Sequence, residues 1–195
     1  HCVTRRQRQM CIRDRLSGLM HIDNSLVAQG DLAESWSVSQ DGLNYTIKLK
    51  EGVKFHNGAK FNADDVLFTF NRSKDPEQSI HSRVIANVNE LVKLSDYEVK
   101  FTLNKPQASF LTKALERASG RAMTIVSQGA LDSMGSAQYG MKPVGTGPYK
   151  IVDHKQGGSV VLERFVDYYD SARPKLDKIT ICLLYTSDAA DELRS

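Results

Sequence analysis

The sequence predicts a mixed α/β fold, built mostly from antiparallel strands with helices among them. Two observations predict it. Short segments with a two-residue apolar alternation are separated by Asp-Gly, Ser-Asp and Gly-Gly corners, the pattern of strands that turn back on one another. Stretches with helical apolar spacing and a capping residue in front lie among them, without the regular strand–helix alternation of a parallel sheet.

Residues 43–49 alternate cleanly. Leu43, Tyr45, Ile47 and Leu49 fall on one side, and Asn44, Thr46 and Lys48 on the other, as in a half-buried strand. Asp41-Gly42 precedes it and Lys50-Glu51-Gly52 follows it, both as corners. Asn57-Gly58 then marks a turn between Phe55 and Phe61, and His56 beside it reads as turn chemistry. Asn62 offers an N-cap with Asp65 at the third helical position. Asp64 and Asp65 also suit the positive end of a helix dipole. Val66, Leu67 and Phe70 predict a helix over 63–73, closed by Asp75-Pro76. Trp36, Tyr45, Phe55 and Phe70 are expected in the core, because they lie on apolar faces.

Two strands are expected around Ser95-Asp96, with Leu91 and Val92 on the first and Val99, Phe101 and Leu103 on the second. A short amphipathic helix is expected in "ASFLTKAL", a strand in "AMTIV", and a helix from the Ser127 cap to about 134. The Gly- and Ser-containing stretch 135–142 reads as a connection. A hairpin follows, with strands at 148–154 and 159–165 around Gly157-Gly158, and then a last strand at 176–181.

The two termini have a different character. The stretch "RRQRQMCIRDR" contributes to five arginines within the first fifteen residues. Arg13, Asp14 and Arg15 stand where a secretory signal needs its apolar stretch. Under one choice of codons, residues 5–15 back-translate to a DNA element with a telling reverse complement. Read in a shifted frame, it spells "CLLYTSDAADE", which is residues 182–192. This inverted element resembles the transposase adapter used to prepare sequencing libraries. The expectation is that 1–15 and 182–195 are not native, so "RRQRQMCIRDR" is not a nucleic-acid arm. The natural protein is then expected to continue past both ends of 16–181.

Without these flanks the charge balance changes. They hold six of the 26 Lys+Arg and four of the 23 Asp+Glu, leaving 20 against 19, a net of +1. Nothing in that balance favours nucleic acid or an anionic membrane surface. Cys2, Cys11 and Cys182 all lie in the flanks, so 16–181 has neither a disulfide scaffold nor a thiolate metal site. No window approaches the roughly 18 consecutive apolar residues of a spanning helix.

No constellation points to catalysis. His21, His56, His81 and His154 stand apart, with no H-E-x-x-H and no H-x-H pair. There is no G-x-S-x-G, and "GTG" at 145–147 lacks the remainder of a phosphate loop. Asp64-Asp65 fits helix-start chemistry, and Asp167 with Asp170 fits a solvated corner. No catalytic residue, metal or cofactor is expected, and the protein reads as a non-enzyme.

The order of segments is more specific than any one of them. "GDLAESWSVSQDGLNYTIKLKEGVKFHNGAKFNADDVLFTFNR" resembles the extracellular solute-binding proteins of the dipeptide, oligopeptide and nickel family, family 5. The residues that carry the likeness are Leu32, Ala33, Glu34, Ser35, Trp36, Asp41, Gly42, Tyr45, Thr46, Leu49, Gly52, Val53, Lys54, Phe55, His56, Gly58, Ala63, Asp65 and Val66. "ANVNELVKLSDYEVKFTLNKPQASFL", "PVGTGPYKI", "LERFVDYYD" and "LDKITI" continue it in order. The likeness spans nearly all of 19–181.

The resemblance implies part of a two-lobed periplasmic-binding-protein-like fold whose lobes close over a ligand. It implies that 16–142 form a smaller inserted lobe with the start of the main lobe, and that 143–181 return into the large ligand-binding lobe. It implies a monomer that captures an oligopeptide or similar small solute, in the periplasm or at the cell surface, for the permease of an ABC importer. A rival reading is a ligand-sensing or regulatory protein on the same fold. By the resemblance, His81 and Arg83 are expected near the ligand, where arginine suits a carboxylate. Gly145, Thr146 and Gly147 are expected near the lobe junction, with the glycines allowing unusual backbone angles or close approach of another segment.

Overall fold

A computed structural model describes residues 15–23, 25, 27–77, 79, 81–116, 123–155 and 158–182. The expectations for 1–14 and 183–195, and for Gly157 at the hairpin corner, lie outside the described residues.

A small hairpin comes first. Strand β1 (Met20–Ile22) pairs antiparallel with β2 (Ala28–Gly30). Asp23 closes it, its carboxylate accepting from the amides of Ser25 and Val27 at 2.9 Å each. The chain then doubles back tightly. Asp31 and Ala33 both donate their amides to Leu19 O, at 2.9 and 3.0 Å.

The main sheet has four antiparallel strands in the order β3 (Ala33–Val38), β4 (Asn44–Leu49), β6 (Glu98–Leu103), β5 (Val88–Ser95). The alternation read at 43–49 sets its register. Tyr45 lies opposite Phe101 and Ile47 opposite Val99, so the apolar residues of both strands share one face. That face is covered by helix α1 (Ala63–Lys74), which buries Val66 and Phe70. Phe101 packs edge-on to Phe70 at 6.2 Å and to Phe110 at 5.5 Å; Phe110 in turn meets Tyr45 at 4.8 Å. Each such fully buried apolar side chain contributes about 1.5–3 kcal/mol. Trp36 is half-buried against this core.

Helix α1 starts where its cap predicts. The side chain of Asn62 accepts from Asp64 N at 2.9 Å, and Asp65 reaches back to the Asn62 amide at 3.2 Å, completing a capping box. Burial pushes the Asp65 carboxyl above its usual range, against the lowering effect of that bond. Asp64 holds Lys93 of β5 through both oxygens, at 3.0 and 2.9 Å. The short helix α2 (Phe110–Lys113) sits under the sheet through Phe110.

Two local expectations need correction. Of the strand expected at 122–126, Ala122 lies outside the described residues and 123–126 do not form a strand. Thr124 makes a single bridge to Gly18, and Ile125 N donates to Ser17 O at 2.9 Å. The apolar run is explained by burial alone, since Met123 and Ile125 are both fully buried. The stretch 135–142 is not a simple connection either. Helix α3 (Gln128–Met141) begins at the Ser127 cap and kinks at Gly135, whose φ is 76°, then resumes. Buried Tyr139 holds the second half by donating its hydroxyl to Val144 O at 2.6 Å.

The last unit is a three-stranded antiparallel sheet, β7 (Tyr149–His154), β8 (Ser159–Arg164) and β9 (Lys178–Cys182). Its own small core joins Tyr149, Val160 and Leu162 to Ile151, Ile179 and Ile181.

Candidate functional site

A cleft of about 650 Å³ opens where the β1–β2 hairpin, the end of β4 and the connection from β8 to β9 meet. Its floor is Asp31. The tight turn after Gly30 places it there, because a Cβ on Gly30 would stand 2.2 Å from Ala33 O. Asp31 is 6% exposed. Its carboxylate accepts from Gly18 N at 3.3 Å and from the Tyr169 hydroxyl at 2.5 Å. Lys50 donates to Asp31 O at 2.6 Å and stands 5.0 Å above the Tyr169 ring, a cation on an aromatic face.

Burial first, and the Asp31 charge second, push the Tyr169 phenol far above the usual tyrosine value. Tyr169 is therefore a donor throughout the physiological range. Tyr168 packs beside it with centroids 4.4 Å apart. The rim carries both signs: Lys48 pairs with Glu34 at 2.8 Å, Arg173 pairs with Asp170 at 3.5 Å, and Glu51 and His21 also line the cleft. Two ring faces and charged groups of both signs suit a polar, charge-bearing partner better than an apolar one. Among the described residues no group of three or more His, Cys, Asp or Glu is placed to hold a metal ion.

None of the five residues expected at the site lines this cleft. His81 and Arg83 flank Ser82 at a 3-10 turn (Ser82–Val84) packed beside α1; His81 is half-buried and Arg83 exposed. Gly145, Thr146 and Gly147 lie together elsewhere and are all buried. Their glycines answer to close approach, not to unusual backbone angles. A Cβ on Gly145 would stand 2.2 Å from Arg15 O, and one on Gly147 would stand 2.5 Å from Arg15 C. Gly147 N donates to Arg15 O at 3.0 Å. The Thr146 hydroxyl is buried and has no hydrogen-bond partner among the described residues.

His56 is the residue that organises this loop, and a turn reading did not anticipate it. Its amide donates to Gly145 O at 2.8 Å, its Nδ1 accepts from Gly145 N at 3.3 Å, and its Nε2 meets Gly147 O at 2.9 Å. The Asp31–Tyr169 pair also went unread, since no local pattern links a Gly-Asp-Leu turn to a Tyr-Tyr pair. Asp167 and Asp170 do form a polar corner, with Asp167 on Lys54 at 3.1 Å and Asp170 capping Ala172 N at 3.0 Å.

A mixed antiparallel fold with a polar cleft at the meeting of its units fits a binding protein. The chain belongs to the bacterial extracellular solute-binding proteins, family 5, whose model matches residues 28–195. It is 36% identical over 164 residues to the glutathione-binding protein GsiB of Escherichia coli O6:K15:H31, covering 84% of this chain and 31% of that protein. Among solved structures it is similar to the oligopeptide-binding protein AppA from Bacillus subtilis in complex with a nonapeptide. The identity is 29% and the TM-score 0.81, over 98% of this chain and 38% of AppA. It is also similar to the ABC transporter-associated periplasmic binding protein DppA from Helicobacter pylori in complex with the peptide STSA. There the identity is 27% and the TM-score 0.80, over 99% of this chain and 41% of DppA. The chain spans about a third of the length of the curated relatives it matches.

Proposed function

We propose that the chain is part of a binding protein that captures peptides or similar small solutes and delivers them to the permease of an ABC importer. It works in the periplasm or at the cell surface, as a monomer, and catalyses no reaction. The observation that carries this reading is the 36% identity to a glutathione-binding protein, glutathione being itself a tripeptide. The peptide complexes of AppA and DppA support the same solute class. In this reading 16–142 supply the smaller lobe with the start of the main lobe, and 143–181 return into the ligand-binding lobe. Arg83, exposed on its turn, and Thr146, whose buried hydroxyl has no hydrogen-bond partner among the described residues, are the contacts offered to the solute or to the rest of the protein, with His81 beside the first and Gly145 and Gly147 beside the second.

The test is calorimetry on the protein made from the complete gene, titrated with glutathione, dipeptides, tripeptides and a nonapeptide. Saturable binding of at least one peptide is expected, and weaker binding in Arg83→Ala. A folded protein that binds none of them overturns the reading. Residues 16–181 alone are expected to give no saturable binding, because most of the protein's length is then missing.

A further inference from the structure

We propose that His56 is a pH-sensitive latch on the loop 145–147, closed while its ring is neutral and released when the ring takes a second proton. The geometry uses every polar atom of the residue that faces the loop. The His56 amide donates to Gly145 O at 2.8 Å, and Gly145 N donates back to Nδ1 at 3.3 Å. A ring that accepts at Nδ1 carries its hydrogen at Nε2, and that hydrogen is donated to Gly147 O at 2.9 Å. Both ring nitrogens are thus committed in the neutral form. A second proton enters at Nδ1, where it meets the Gly145 N–H donor to donor. The bond to Gly145 N is lost and replaced by a repulsive contact.

The surroundings favour the neutral ring. Phe165 stands edge-on at 5.1 Å. The charged groups that act on the ring are Lys150 from β7 and Arg15 from the segment before β1, both cations. Asp167, near Phe165 in sequence, is engaged with Lys54 at 3.1 Å. Burial is the main cause in holding the imidazole below its usual value; Lys150 and Arg15 add to it, and the hydrogen bonds to the backbone of Gly147 and Pro143 act against it without reversing it. The folded ring therefore binds its proton less tightly than the unfolded one. The latch contributes fully above about pH 6.5, the ordinary histidine value, and its contribution is lost as pH falls below that.

Release of this loop has a defined reach. The same segment is held by Gly147 N on Arg15 O at 3.0 Å and by the Tyr139 hydroxyl on Val144 O at 2.6 Å. It joins α3 to β7, so loosening it loosens the seat of the three-stranded sheet against the hairpin corner at 55–58. The latch does not depend on which solute the protein takes. Its failure in the test below leaves the binding reading intact.

The experiment uses the full 195-residue chain. Long-range proton–nitrogen NMR of the His56 ring at pH 7.5 is expected to show the Nε2–H form. On acidification, the Gly145 and Gly147 amide signals are expected to move with the His56 titration. Thermal unfolding is followed from pH 7.5 to 5.5 in the wild type and in His56→Asn, whose amide oxygen can accept from Gly145 N and does not titrate. The wild type is expected to lose at least about 2 °C more in Tm than the variant over that range. An Nδ1–H or charged ring at pH 7.5, or equal losses in both proteins, overturns the latch. If the variant does not fold, the wild-type NMR decides alone: a Gly145 amide that ignores the His56 titration overturns it.

Discussion

Tyr169 donates its hydroxyl hydrogen to Asp31 across 138 positions of sequence, and this bond ties the connection after β8 to the turn after β2. Lys50 completes the joint from the end of β4, bonded to the Asp31 carbonyl and seated on the Tyr169 ring. Three units of the fold meet at these three side chains.

Tyr169→Phe removes one donor from a buried carboxylate while keeping the ring under Lys50. The expected loss is about 1.5–3 kcal/mol in urea unfolding, the usual range for a hydrogen bond to a charged group. An alkaline difference-absorbance titration gives an independent reading. Burial pushes Tyr139 up to about 12 and Tyr169 higher still, so both are expected to stay silent near pH 10, the ordinary tyrosine value. Because these folded-state values are raised, the stability they contribute is fully present below about pH 10 and is lost as pH rises above it. If Tyr169→Phe instead removes amplitude from the step near pH 10, Tyr169 ionises as an accessible tyrosine and the joint is not as buried as described.

Gly145→Ala and Gly129→Ala are a matched pair. At Gly145 the added methyl would meet Arg15 O at 2.2 Å and Leu16 Cδ2 at 2.4 Å; at Gly129, early in α3, it meets nothing within 4 Å. The first is expected to cost about 1–3 kcal/mol through overpacking. The second is expected to stabilise by about 0.5–1 kcal/mol through helix propensity. Equal effects in thermal unfolding would show that close approach is not what requires glycine at 145.

Asn62→Ala breaks the capping box of α1. A loss of about 1 kcal/mol is expected, with faster amide exchange confined to the first turn of the helix. Unchanged exchange at Asp64 and Asp65 would remove the cap from the account of why this helix starts where it does.

The parts of the fold that rest on short-range rules were legible in the sequence. Residues 43–49 alternate because one face of their strand is buried, and the cross-strand pairs Tyr45–Phe101 and Ile47–Val99 obey the same rule. Asn62 and Asp65 marked α1 to within a residue, since capping is decided over four positions. Residues 123–126 misled because a buried apolar run looks the same whether or not a partner strand extends alongside it. The stretch after Gly135 misled because one glycine can kink a helix without ending it, when a later residue such as Tyr139 is anchored elsewhere.

The site was legible only in part. Gly145 and Gly147 were picked out as places of close approach, and the structure supplies the approaching chain, Arg15. His56 and Asp31 were not picked out as organising residues. Their partners lie 89 to 138 positions away, and no local pattern records such pairings. His81 and Arg83, expected at the site by chemistry and likeness, stand on a turn that does not line the cleft.

The backbone bond from Ile125 to Ser17 has a further consequence. It makes the intervening chain a closed loop whose two ends are fastened side by side. For such a loop the entropic penalty of closure grows only logarithmically with length, by about 0.6 kcal/mol for each doubling. The four-stranded unit within it is therefore free to gain or lose surface segments at little thermodynamic cost. The crossing point cannot vary in this way, because Ser17 and Ile125 are both fully buried there.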